Sequence, residues 1–156
     1  MLAEIQTMHN TLDSLESITE NNRIDTLTQL VDYIKTNTEE VINNYYTDTI
    51  DYAVAKMMNN YKDTRKAFSK NSGNLAKARQ AIPEVRESLN DLRHDIEHGV
   101  GQRDKYEEFV GFEKGKVKQI KEILTYYLET KEKYTALFIE TDKEVLEFIE
   151  KLKSDN

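Results

Sequence analysis

Ile24, Leu27, Val31, Ile34, Thr38 and Val41 stand alternately three and four residues apart, and this spacing restricts the chain more than any other feature. An α-helix turns through about 100° per residue, so the spacing gathers these side chains on one face, whereas a strand would send them alternately to opposite sides. The same rhythm runs ahead of this stretch in Met1, Ile5, Met8, Leu12 and Leu15, and after it in Leu75, Ala78, Ile82, Val85, Leu89, Leu92 and Ile96. A last stripe, Tyr106, Val110, Val117, Ile120, Leu124, Tyr127, Tyr134, Phe138, Val145, Phe148 and Leu152, reaches the C-terminus with interruptions at Glu113, Lys131 and Thr141. The chain reads as helical from end to end.

Breaks in the stripes set the boundaries. The phase is lost at Glu20-Asn21-Asn22-Arg23, where the paired asparagines suit a turn. The second stripe continues through Tyr45, Tyr52 and Ala55, with Asp48 interrupting it, toward Ser72-Gly73-Asn74, which carries helix-stop chemistry. Pro83 falls inside the third stripe, where a missing N–H and a ring clash predict a kink or the true helix start. Gly99, Gly101, Gly111 and Gly115 concentrate backbone freedom at the last connection, His98-Gly99-Val100-Gly101-Gln102, and the start of the final helix. The expected helices therefore cover residues 2–20, 24–70, 75–98 and 102–153, within a single domain spanning 1–156. The fold class expected is all-α: an elongated antiparallel three- to four-helix bundle with long coiled-coil-like helices. The 75–98 helix covers only part of its long neighbours. Either these bend near Asn43-Asn44 and Asn59-Asn60 or a second copy covers the remainder, so a homodimer stays open.

Composition narrows the function classes. A net charge of −7 opposes broad binding to nucleic acid, whose phosphates reward clustered Lys and Arg. The absence of cysteine removes thiolate chemistry, disulfides and Cys-based zinc sites. No window approaches the roughly 18 apolar residues that a membrane span requires. No catalytic residue and no cofactor site emerges.

One segment is spelled like an enzyme motif. His94-x-x-Glu97-His98 has the H-x-x-E-H order of inverzincin metalloproteases, with Asp91 one turn upstream of His94. His94, His98, Asp91 and Glu97 are thus the candidate metal ligands. Yet His94 points about 200° away from the core residue Leu92, and histidine near a helix C-terminus complements the exposed carbonyls without any metal. The expectation is helix-end chemistry. A di-iron bundle would need Glu-x-x-His on two helices, whereas Asp91-x-x-His94 and Asp95-x-x-His98 share one. The lone Gly99-x-Gly101 follows a helix rather than a strand and has no Walker lysine, so it reads as a cap and turn.

Of the nine tyrosines, Tyr45, Tyr52 and Tyr127 lie on core stripes, whereas Tyr46 and Tyr126 lie just off them and are the candidate interaction residues. Lys114, Lys116, Lys118 and Lys121 form one basic cluster. It reads as a solvated helix face, with an acidic partner or a lipid surface as the sharper alternative.

From Tyr61–Lys66 through Leu89–Gly99 to Tyr106–Lys116 the chain resembles uncharacterised helical lipoproteins of Bacteroidetes, over about half its length. In these a leucine-rich helix ends in an Asp-hydrophobic-x-x-Gly turn followed by a Tyr-containing segment and a Glu, and the matching positions are Asp95, Ile96, Gly99, Tyr106 and Glu113. The resemblance implies export and anchoring through an N-terminal lipidated Cys, a residue this sequence does not contain. It implies no activity or ligand. The function expected is a non-enzymatic protein-interaction or structural module of the cell envelope, on the periplasmic side or surface, with an unidentified protein partner. Two alternatives remain: a metal-binding protein or metal-dependent enzyme using the 94–98 segment, and a cytoplasmic coiled-coil adaptor.

Overall fold

The computed structural model describes residues 1–49 and 51–155. Among them are four α-helices and no strand: α1 (Leu2–Glu20), α2 (Ile24–Asn44), α3 (Tyr52–His98) and α4 (Tyr106–Asp155), with a 3₁₀ turn at Arg103–Lys105 before α4. The all-α helical bundle is as the periodicity requires. The chain divides into two compact units, one of Met1–Arg23 with Asn74–Tyr127 and one of Ile24–Gly73 with Leu128–Asn156.

In the first unit, α1 packs with the second half of α3 and the first half of α4. Arg93 reaches Gln6, Arg86 reaches Glu16, and Arg79 reaches Thr19, so α1 and α3 run antiparallel. Lys114 meets Glu4 and Tyr127 meets Asn22, so α1 and α4 run parallel. Ile5, Leu12, Leu75, Ala78, Leu89 and Leu124 are fully enclosed between them. Each such leucine or isoleucine contributes ~1.5–3 kcal/mol by leaving water. The C-terminus of α1 is closed by neighbours: the Arg79 guanidinium donates to the Thr19 carbonyl at 2.7 Å and the Asn22 carbonyl at 2.5 Å, and the Asn22 amide donates to the Ile18 carbonyl at 2.7 Å. The turn expected at residues 20–23 is there, and these bonds satisfy the carbonyls a helix end leaves open.

In the second unit, α2 packs with the first half of α3 and the second half of α4 around Leu27, Ile34, Val41, Tyr61, Phe68 and Val145. Rings fill much of this core: Phe138 meets both Tyr33 and Phe68 edge-on, with centroids 6.1 and 5.8 Å apart, and Tyr45 meets Phe148 at 5.3 Å.

Two expected boundaries are wrong. The helix expected over 24–70 is broken: α2 ends at Asn44 and α3 begins at Tyr52. The break has its own chemistry. The Asn44 amide turns back onto the Glu40 carbonyl at 2.8 Å, the Thr47 hydroxyl bonds the Thr49 backbone, and the Asp51 carboxylate accepts from the Ala53 and Val54 amides at 3.0 and 3.2 Å as an N-cap. Conversely, the stop expected at Ser72-Gly73-Asn74 does not occur, and α3 runs through it to His98. Leu75, fully buried, and Asn71, whose side-chain oxygen accepts from the Thr130 hydroxyl at 2.8 Å, hold this stretch, and burial of Leu75 outweighs the ~1 kcal/mol a helical glycine costs relative to alanine. Pro83 likewise lies inside α3 and does not start it.

Candidate functional site

The 94–98 segment forms the last turn of α3. The His94 and His98 rings lie with centroids 4.2 Å apart and tilted by 30°, both exposed, and the His98 Nδ1–H donates to the His94 carbonyl at 2.8 Å. That bond is the helix-end chemistry the position favours. Asp91 and Glu97 are also exposed, and no group of three or more His, Asp or Glu side chains placed to hold a metal ion occurs among the described residues.

Past His98, Gly99 adopts φ +62°, and the Val100 and Gly99 amides donate to the Asp95 and Ile96 carbonyls at 3.0 and 3.4 Å. These paired bonds define a Schellman cap, which needs a residue at ease with positive φ at Gly99. The Tyr106 hydroxyl donates to the Asp95 carbonyl at 2.9 Å and also contacts the Val100 carbonyl, tying the start of α4 to the end of α3. Asp95, Ile96, Gly99 and Tyr106 are therefore brought together as one corner.

Glu113, two turns beyond Tyr106, interrupts the apolar stripe in the sequence, yet it is only 7% exposed. Its Oε1 accepts from the Lys116 ammonium at 3.0 Å, and its Oε2 is buried with no hydrogen-bond partner. Beside it a groove of about 610 Å³ opens between α3 and α4, lined by Asp91 and Asp95 on one side and by Phe109, Phe112 and Lys116 on the other. Sequence reasoning did not associate these residues. The available signal is a carboxylate on a core stripe, one turn after Phe109 and directly after Phe112.

In the second unit a groove of about 710 Å³ runs along the α2–α3 corner. Val41, Tyr45, Val54 and Met58 line it together with Ile42, which is 67% exposed, and Lys62 and Arg65 lie at one end. Tyr46, expected at an interaction surface, is 83% exposed, its hydroxyl donating to the Asn43 carbonyl at 2.9 Å. Tyr52, expected in the core, is 81% exposed instead. The break at residues 45–51 resets the helical phase, so the stripe that placed Tyr52 inward ends before it. Tyr127 is buried as expected, donating to the Asn22 side-chain oxygen at 2.9 Å, whereas Tyr126 belongs to the first unit and is exposed.

The strongest electrostatic perturbations belong to structural clusters. The buried Tyr61 hydroxyl donates to Asp142 at 2.8 Å and accepts from the Asn37 amide at 3.0 Å, while the Tyr33 hydroxyl donates to the other Asp142 oxygen at 3.1 Å. Burial, with the Asp142 charge adding to it, pushes the Tyr61 and Tyr33 hydroxyls above their ordinary range. Burial opposes the Arg86 charge, but Asp13 at 2.7 Å and Glu16 at 2.6 Å outweigh it and raise the guanidinium further. Of the basic cluster, Lys114 pairs with Glu4, Lys116 with Glu113 and Lys118 with Glu122. The geometry defines a helical bundle with grooves along its helix seams, the two described above among them. Comparison with protein-family models, curated proteins and solved structures finds no match.

Proposed function

We propose that the protein is a non-enzymatic binding module that presents helix-side grooves to a protein partner. The observation that carries this reading is the α2–α3 corner, where the exposed side chain of Ile42 lines an apolar groove together with Val41, Tyr45, Val54 and Met58, and Tyr46 next along the chain is exposed as well. Large apolar and tyrosine side chains gathered around a concavity mark association surfaces, whereas scattered ones do not. The perturbed tyrosines and Arg86 serve internal packing and pairing, which leaves the grooves as the surfaces available for function.

The test is affinity purification of the full chain from its own cells, with Ile42→Asp/Tyr46→Ser as the comparison. Both residues are exposed, so the variant keeps its fold. One stoichiometric protein lost specifically from the variant supports the reading, and an identical set of co-purifying proteins defeats it. Attachment to the cell envelope is part of the proposal, and its support is the resemblance of the 61–116 region alone. The codons upstream of Met1 in the native gene test it: a leader ending in Cys supports envelope attachment, and an untranslated region there leaves a cytoplasmic adaptor.

A further inference from the structure

We propose that the groove between α3 and α4 in the first unit docks an amphipathic helix of a protein partner through an arginine or lysine side chain. This rests on the reading of the protein as a binding module but uses a different surface from the α2–α3 corner.

Three features of the groove converge on that occupant. The first is its apolar strip. Leu92 is buried at the floor, Phe109 is half-buried, and Phe112, one turn further along α4, is 57% exposed within the groove. Two phenylalanines at this spacing match the apolar face of one partner helix.

The second is charge. Asp91 and Asp95, one turn apart on α3, and Glu113 on α4 place three carboxylates along the groove against the single ammonium of Lys116. Lys116 is itself engaged by Glu113. An acidic peptide or an anionic lipid would meet like charge here, whereas a cationic segment meets complementary charge.

The third is the Glu113 carboxylate. Its side chain is 10% exposed, and Oε2 is buried with no hydrogen-bond donor. A buried acceptor left unmatched is costly, and a carboxylate more so than a neutral group. An arginine side chain entering beside Phe109 and Phe112 meets the Asp91 and Asp95 carboxylates and adds a second cation next to the Glu113 charge, which Lys116 alone offsets. Its planar fork offers several donors to carboxylates, its weakly hydrated cation sits favourably over aromatic faces, and its aliphatic stem covers the ring edges.

Fluorescence anisotropy of the full-length protein with a labelled 20-residue peptide tests the idea. The peptide is an amphipathic helix of Leu, Ala and Arg, and a matched peptide carries Glu in place of Arg. Three variants are compared with the parent: Asp91→Asn/Asp95→Asn, Phe112→Ala, and Glu144→Gln/Glu147→Gln, which removes the same charge from exposed positions of α4 in the other unit. Circular dichroism confirms that each stays helical. The proposal predicts binding of the Arg peptide only. It also predicts about tenfold weakening by each of the first two variants and less than about twofold by the third. Equal weakening by the two charge-removing pairs would reduce the effect to net charge and overturn the proposal. So would binding insensitive to Phe112→Ala, no binding by the parent, or a self-association of the chain that Phe112→Ala abolishes, which would assign the groove to a second copy. Failure here with success at Ile42 and Tyr46 removes this site and leaves the binding-module reading standing.

Discussion

Removing the Tyr61 hydroxyl should destabilise the protein by about 2 kcal/mol. Tyr61 is fully buried, and its oxygen joins all three helices of the second unit: it donates to Asp142 of α4 and accepts from Asn37 of α2. A hydrogen bond to a charged partner contributes roughly 1.5–3 kcal/mol net, and a neutral one roughly 0.5–1.5 kcal/mol. Asn37 is half-exposed, so water replaces most of its share, and Asp142 keeps its bond from Tyr33. Phenylalanine fills nearly the same volume, so no cavity term enters. In a chain of this length about 2 kcal/mol lowers the melting temperature by roughly 4–8 °C.

Urea denaturation followed by circular dichroism measures this, with Asp142→Asn and the double variant completing a cycle. The two changes should be coupled by about 1 kcal/mol or more, because they share one bond. The pH dependence gives a second check. A tyrosine whose folded-state pKa is raised contributes stability that is complete below its unfolded value of 10.0 and is lost as the pH climbs above it. The parent should therefore weaken steeply above pH 10, and Tyr61→Phe should weaken less steeply there. A Tyr61→Phe change costing under about 0.5 kcal/mol, or strict additivity with Asp142→Asn, would refute the claim that this hydroxyl joins the helices.

Gly73→Ala should stabilise the chain by about 0.5–1 kcal/mol, because the helix is continuous there and nothing lies within 4 Å of an added Cβ; a loss in thermal melting would show that α3 bends at this point. Asp51→Ala removes the cap on the Ala53 and Val54 amides and should cost about 1 kcal/mol in the same assay, with Asp51→Ser recovering most of it. His9 is held below its ordinary 6.5 by burial first and then by Arg93 and Arg86, against the opposing pull of Asp13 and Asn90. Its contribution is therefore complete above pH 6.5 and lost as the pH falls toward its folded-state value, so His9→Gln should flatten the urea midpoint between pH 7 and 5.

The sequence made α1, the turn after it and the α3–α4 corner legible because each combined a stripe with an unambiguous local signal: the paired asparagines at 21–22 and the helix-ending Gly99. The break at 45–51 was hidden by coincidence. Tyr45 and Tyr52 are seven residues apart, which is two helical turns, so the stripe reads as continuous across a segment where Thr47, Thr49 and Asp51 redirect the backbone. At Gly73 the opposite error arose, since turn chemistry is local while the burial of Asn71 and Leu75 is tertiary. The α3–α4 groove is not legible in the sequence for a related reason. A polar residue on a core stripe reads as a gap, yet Glu113 and Thr141 are buried there, and Glu113 helps build the site.

The most direct measurement of the binding-module account is site-specific photo-crosslinking in living cells. A photoreactive amino acid is placed at Ile42, at Phe112 and, as a control, at the exposed position Glu147. The account predicts a discrete adduct to one protein from Ile42 and an adduct from Phe112, with none from Glu147. Identical patterns from all three positions, or no adduct from either groove, would contradict it.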